Sequence, residues 1–250
     1  MLGTGVLSRA RRWWRRHRPA HEWWDEMYRR YGPYRASQAY DRDEQDNVDY
    51  FAFRAEWHRR IIERFRRPED TTFLDAGCGN GLLTSLLIDM SFQVTAFDFS
   101  REALAQARKQ AGADRVRWQR SSIPRFRSPD RFDIVRCAEA LVAITDDRMH
   151  AKAVRVLADC VVPGGHLILE EHLIPEHDVP ERPGRGERIR LRSLERYEAL
   201  AADTHLRLLE HRHVPAGEHL HDLDLLVFEP TGEVGAPSIW RRVGARLLRR

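Results

Sequence analysis

Cysteine is scarce in this 250-residue chain: Cys78, Cys137 and Cys160 are all there is. They stand far apart, form no CxxC pair, and number three, so a disulfide framework and a zinc ribbon are both disfavoured and a reducing cytosol is the simplest home. No stretch approaches the roughly 20 apolar residues that span a bilayer. Near the start, arginines alternate with apolar residues and no uninterrupted apolar region follows, so no signal peptide is expected. Lysine is almost missing: only Lys109 and Lys152 occur, so 40 of the 42 basic residues are arginine. That skew reflects codon composition as readily as a chosen partner.

The charge that is present is unevenly placed. Residues 1–20 hold six arginines and no acid, and residues 234–250 hold five arginines and no acid. What remains has 31 basic and 38 acidic residues, a net of −7. A nucleic-acid enzyme carries its basic surface on the fold itself, so nucleic acid is not an expected partner. In the leader, Val6, Ala10, Trp13 and Trp14 recur at helical spacing among arginines, and Ile239, Trp240, Val243 and Leu247 repeat the pattern in the tail. Basic amphipathic helices with Trp suit an anionic membrane surface. The expectation is a cytoplasmic protein with peripheral membrane contact through its ends; an oligomeric state is not legible.

Four regions follow: a basic leader at 1–20, cap helices at 21–66, an α/β domain at 67–230 and a basic tail at 231–250. In the second region, Glu22–Tyr31 and Asn47–Phe65 read as helices separated by Gly32-Pro33. From Thr71, short apolar runs alternate with helical segments. Strands are expected at 72–76, 92–97, 116–119, 132–137 and 166–170, with helices at 82–89, 101–110 and 147–161 between them. Ser100 is placed to cap the second of these helices. Such alternation gives a mostly parallel sheet. After a helix at 192–203, two strands at 205–213 and 222–229 have no helix between them. They are expected to pair as a hairpin, leaving one strand antiparallel.

The first strand runs into Asp75-Ala76-Gly77-Cys78-Gly79-Asn80-Gly81 and then a helix. Glycines there permit a tight turn and close approach of a ligand to the backbone. A dinucleotide fingerprint needs a third small residue at G-x-G-x-x-G; from Gly77 that position is Leu82. Asp75 also precedes the first glycine by two residues, where a pyrophosphate would meet a carboxylate. A nicotinamide oxidoreductase is therefore disfavoured. Asp98 closes the second strand, 23 residues after Asp75. An isolated aspartate there is usually a helix cap, but behind a Gly-rich turn a carboxylate suits two ribose hydroxyls.

With those residues in place the chain resembles the class I S-adenosylmethionine (SAM)-dependent methyltransferases. Phe73–Gly81 is similar to their first motif, Val94–Ser100 to the second strand, Phe132–Leu141 to the fourth, and Val156-Leu157 with Pro163–Leu169 to the fifth and its preceding helix. The closing hairpin is similar to their reversed seventh strand. The resemblance covers about residues 45–230 and is nearest to the quinone-biosynthesis and small-molecule enzymes. It implies an α/β, Rossmann-like, doubly wound seven-stranded mostly parallel sheet with an antiparallel C-terminal hairpin strand, plus N-terminal cap helices over the cofactor. The cofactor implied is SAM. Asp75, Gly77, Cys78, Gly79, Asn80, Gly81, Asp98, Phe99, Ser121, Ser122 and Cys137 are its expected contacts. Where quinone-type relatives carry Glu-x-x-Glu-His, a metal motif, only Glu139 stands, so no metal is expected.

The implied reaction is methyl transfer to a small-molecule acceptor, with a hydroxyl of a lipophilic or aromatic metabolite expected ahead of a nitrogen or carbon. Glu139, Glu171 and His172 are the candidate bases, at the ends of the fourth and fifth strands where open α/β sheets bind ligands. An RNA or protein methyltransferase is a second reading. It is weakened because Cys137-Ala138-Glu139-Ala140 replaces the Asn/Asp-Pro-Pro-Tyr motif of amine-directed nucleic-acid enzymes. A third reading is a non-catalytic SAM-binding or partner-binding subunit.

Overall fold

The computed structural model describes residues 19–37, 43–65, 71–90, 92–110, 112–179, 188–215 and 222–232. Residues 1–18 of the basic leader and 233–250 of the tail lie outside these, so their membrane expectation has no structural counterpart here. No described helix is long and apolar enough to cross a membrane.

Seven strands form one sheet: β1 Thr72–Ala76, β2 Gln93–Asp98, β3 Val116–Arg120, β4 Phe132–Ala138, β5 Val161–Glu171, β6 Leu206–Val214 and β7 Leu223–Pro230. The order is β3-β2-β1-β4-β5-β7-β6. β1 to β5 pair in parallel, while β7 runs antiparallel to both β5 and β6. The seven-stranded doubly wound sheet and its reversed strand are those expected from the sequence. Chain order reverses between β1 and β4, and it is there, beyond the carboxyl ends of the strands, that such sheets bind ligands.

Both faces of the sheet are covered, so its strands are near-continuous apolar runs. Leu74, Val135, Leu167 and Leu169 face α5 (Asp147–Asp159) and α6 (Leu194–Ala202). Phe73, Ile134, Ile168 and Val227 face α2 (Glu44–Phe65) and α3 (Leu82–Asp89). The stripe Ala153, Val154, Leu157, Ala158 gives α5 its buried face. Its first turn is closed by Asp146, whose carboxylate accepts from Met149 N at 2.8 Å. Ser100 does the same for α4 (Arg101–Ala107), accepting from Ala103 N at 3.0 Å.

Two boundaries differ from expectation for physical reasons. β5 begins at Val161 rather than His166, because Pro163-Gly164-Gly165 is carried inside the ladder by a register shift opposite Phe132 and Ile134. A side chain at Gly165 would meet Asp133 O at 2.7 Å. α1 (Ala20–Ser37) does break at Gly32, with φ 72° and ψ −173°, but the chain resumes a helical turn after Pro33 instead of leaving it.

α1 docks on α4. Asp25 Oδ1 accepts from Ser100 Oγ at 2.5 Å and from Glu102 N at 3.1 Å, and Gln106 Nε2 donates to Tyr28 O at 2.9 Å. These bonds set α1 above the carboxyl ends of β1 and β2.

Candidate active site

The Gly-rich turn is held by its neighbours as much as by its own conformation. Gly77 N and Cys78 N donate to Phe97 O at 2.9 and 3.0 Å. Gly77 has φ 71°, and a Cβ there would lie 2.4 Å from Ala140 Cβ. Gly79 has φ 54°, and its Cβ would lie 2.5 Å from the Tyr28 hydroxyl. Both positions thus demand glycine twice, by dihedral and by space. Asn80 Nδ2 donates to Pro33 O at 2.6 Å, tying the turn to α1. Gly81 packs on Ala107 and Trp118 and opens α3.

Asp98 stands at the end of β2 with 6% of its surface exposed. Its Oδ2 accepts from Gly79 N at 3.1 Å and its Oδ1 from Ser100 N at 2.7 Å. Burial raises its pKa to about 6, against the opposing pull of these backbone bonds. Asp98, Phe99, Ser121 and Ser122 line a cavity of about 450 Å³ together with Asp75, Gly77, Cys78, Gly79 and Asn80. That volume is in the range of small-molecule sites. Trp24 and Tyr28 of α1, Phe51 of α2, and Ile144 and Met149 beyond β4 complete a largely apolar wall.

Three features depart from the sequence expectation. Asp75 reaches the cavity wall, but it is not a lone carboxylate. Arg136 Nε meets its Oδ1 at 3.1 Å, Arg136 Nη2 its Oδ2 at 2.7 Å, and Thr84 Oγ1 donates to Oδ2 at 2.6 Å. The negative charge expected beside the turn is therefore balanced by a fully buried arginine. Cys137 does not line the cavity. Strand alternation turns Arg136 and Ala138 toward it and buries Cys137 in the core on the opposite face, where burial raises the thiol pKa. Glu171 is a third correction, since the same alternation on β5 sends Glu170 and Glu171 to opposite faces. Glu171 lies outside the cavity lining, 1% exposed, and burial raises its pKa to about 8, opposed by Tyr197 and the charge of His172.

Glu139 is the candidate base that lines the cavity. Among the described residues it alone, other than glycines, has a positive φ, 51°. Its Oε2 receives Arg54 Nη2 at 2.8 Å and its Oε1 is bonded to His172 Nε2. His172 also donates Nδ1–H to Asp222 O at 2.8 Å. Burial works against charge on this imidazole, but Glu139 and the Asp222 carbonyl outweigh it and hold its pKa up to about 9. His172 therefore sits behind Glu139 as a cation with both ring N–H groups engaged. It is not itself in the cavity lining.

A second carboxylate anchors the same arginine. Arg54 Nε donates to Glu170 Oε1 at 2.6 Å, and His58 Nε2 is bonded to Glu170 Oε2. Burial alone would raise the Glu170 pKa, but Arg54 and His58 hold it well below the usual carboxylate range. Burial lowers the His58 pKa, against the pull of Glu170. Arg54, His58 and Arg136 were not anticipated. Arg136 does leave a signal, since it interrupts the apolar strand Phe132-Asp133-Ile134-Val135-Arg136-Cys137-Ala138, where a charge needs a partner. Among the described residues, no group of three or more His, Cys, Asp or Glu is arranged to hold a metal ion.

A doubly wound sheet with a reversed penultimate neighbour at β7, and a Gly-rich turn braced by the acid that ends β2, define the fold of the class I SAM-dependent methyltransferases. Residues 73–165 match the family model described as "Methyltransferase domain". Over 111 residues it is 34% identical to the ubiquinone biosynthesis O-methyltransferase of Serratia proteamaculans, covering 43% of this chain and 45% of that protein. Over 129 residues it is 29% identical to Nodulation protein S of Bradyrhizobium diazoefficiens, covering 50% and 61%. The chain thus spans about half the length of the curated relatives it matches. Among solved structures, magnesium protoporphyrin IX methyltransferase from Synechocystis PCC 6803 with bound SAM superposes with a TM-score of 0.62, covering 83% of this chain and 93% of that one at 14% identity. A glycopeptide N-methyltransferase complexed with SAM gives 0.58, covering 70% and 93% at 17% identity. At these identities the likeness establishes the fold.

Proposed function

We propose that the chain transfers a methyl group from SAM to a hydroxyl of a small lipophilic or aromatic acceptor. The observation that carries this reading is Asp98. It is a buried carboxylate braced by Gly79 N and Ser100 N, and it lines the same cavity as Glu139. The donor set fits the cofactor: Asp98 would accept from ribose hydroxyls, the Gly77–Gly79 turn would admit the ligand against bare backbone, and Phe99, Ser121 and Ser122 line the same cavity and would hold the base. SAM supplies a methyl group activated by a sulfonium. The chain's own work is to orient and to exclude water. Holding an acceptor in line is worth up to about 7–11 kcal/mol, and the apolar wall of Trp24, Tyr28, Phe51 and Ile144 serves that end. Glu139 takes the hydroxyl proton, with Arg54 and His172 as positioning residues on its two oxygens.

The first test is calorimetric titration with SAM, S-adenosylhomocysteine and NAD. Micromolar binding of the first two, lost in Asp98→Ala and absent for NAD, is expected. If the folded protein binds neither SAM-type ligand, the reading fails. Glu139→Gln then tests the chemistry against phenols and quinols: kcat should fall about 10²- to 10⁴-fold with S-adenosylhomocysteine affinity unchanged. Unaltered kcat would remove Glu139 as the base. Binding with no turnover of any acceptor would favour a non-catalytic subunit.

A further inference from the structure

The segment 188–193 inverts the usual arrangement of apolar side chains inside and charged ones outside. Arg190 and Arg192 are 1% and 2% exposed, while Ile189 beside them is 48% exposed. Buried guanidinium groups need partners, and theirs lie in one place. Arg190 Nη2 is 3.2 Å from Asp147 Oδ2, and Arg192 Nη2 is 3.1 Å from Asp147 Oδ1. Arg192 Nη2 also donates to Ile144 O at 2.8 Å, and Arg190 N donates to Val142 O at 2.7 Å. The segment is itself tied to the chain just beyond β5, where Ile174 N donates to Arg192 O at 3.1 Å.

What the two arginines hold is a wall of the cavity: Ala143, Ile144, Thr145 and Asp146 line it, with Met149 a turn further on. This stretch follows directly on Glu139, whose φ of 51° persists in a non-glycine residue only where the surroundings impose it. Neither Arg190 nor Arg192 lines the cavity, so both act on it through the wall. The same segment also touches α1. The Arg188 guanidinium lies 5.9 Å from the Trp23 ring centroid, and Trp23 packs edge-on at 4.8 Å against Trp24, which lines the cavity. All these contacts fall outside the Gly-rich turn and Asp98. We infer that Arg190 and Arg192 are positioning residues for the acceptor: they clamp residues 142–147 from behind and so fix the wall against which the acceptor is held, while leaving the cofactor contacts alone. The inference rests on the acceptor reading proposed above.

The first test is hydrogen exchange read by mass spectrometry on the full chain, which needs no acceptor. Arg192→Met should speed exchange at residues 140–149 by about tenfold, the worth of a charge-assisted hydrogen bond, and leave residues 73–81 as they were. Unchanged exchange at 140–149 would overturn the inference. So would faster exchange across the whole sheet, which marks a general loss of fold. Activity gives the second readout. With the phenol or quinol that the wild type methylates best, Arg192→Met should lower kcat/KM for the acceptor about 10- to 100-fold, while S-adenosylhomocysteine affinity by calorimetry stays within about twofold. Arg192→Lys, which keeps the charge but replaces the fork with a point donor, should recover part of that loss. Cofactor affinity falling in step with kcat/KM, or kcat/KM unaltered, would overturn the assignment. If the wild type methylates no phenol or quinol, the acceptor reading fails instead, and the exchange result still decides whether the arginines clamp the wall.

Discussion

Asp98 carries two properties that oppose each other: burial favours its protonated form, and its expected role requires the ionised one. With a pKa of about 6 in the free protein, a ligand whose hydroxyls donate to the carboxylate must drive off a proton at lower pH. Affinity for S-adenosylhomocysteine should therefore weaken about tenfold from pH 7.5 to pH 5, and calorimetry across that range should find the dependence gone in Asp98→Asn. Glu171 gives a stability effect with its own sign. Its pKa rises from 4.5 to about 8 on folding, so folding takes up a proton between those values. Its contribution is complete below about pH 4.5, declines as pH rises, and is lost through about pH 8. Glu171→Gln should thus exceed the wild type by on the order of 2–4 kcal/mol at pH 8 and match it within about 1 kcal/mol at pH 5. Urea unfolding at the two pH values measures this, and an equal gain at both would contradict the account.

At the scale of elements, the turn after β1 and the docking of α1 build one wall between them. Gly77→Ala should cost about 1–3 kcal/mol of stability from its φ of 71°, with further loss from the collision with Ala140, read as a lowered midpoint in urea. Asp25→Ala removes the bonds that hold α1 to the start of α4. It should weaken S-adenosylhomocysteine binding by about tenfold while costing no more than about 1–2 kcal/mol in global stability. A full loss of fold would mean that α1 is part of the core rather than a cover. These elements were largely legible beforehand. Strands buried on both faces read as apolar runs, and the missing helix before β7 announced its reversal. Asp98 and the glycines were legible because a tight turn leaves few residue choices. The ionic arrangement was not legible. Arg54 and His58 lie one helical turn apart in a segment that resembles any amphipathic helix, and their partner Glu170 is more than a hundred residues away. Cys137 and Glu171 were misplaced for one reason: proximity to a strand end says little until the alternation of faces is fixed by a neighbour.

For the molecule as a whole, the site and the fold share their supports. Arg54 holds two buried carboxylates, and removing one partner from such an arrangement typically costs 3–5 kcal/mol. Arg54→Met should therefore lower stability by about 3–5 kcal/mol, a loss visible in thermal unfolding as well as in ligand affinity. Conversely, a ligand that binds only the folded state stabilises it. At a hundredfold excess over its Kd, S-adenosylhomocysteine should add about 2.7 kcal/mol and raise Tm by roughly 5–11 °C for a domain of this size, while NAD should leave Tm unchanged. The span between Arg54 and Glu170 also sets a clock. They are 116 residues apart, and at roughly 5–20 residues per second a ribosome needs about 6–23 s to make that length. For that interval the contacts of Arg54 and His58 with Glu170 cannot form, and Arg54 has Glu139 as its earlier partner, so the ionic support behind the cavity is finished only when β5 emerges, long after the glycine turn.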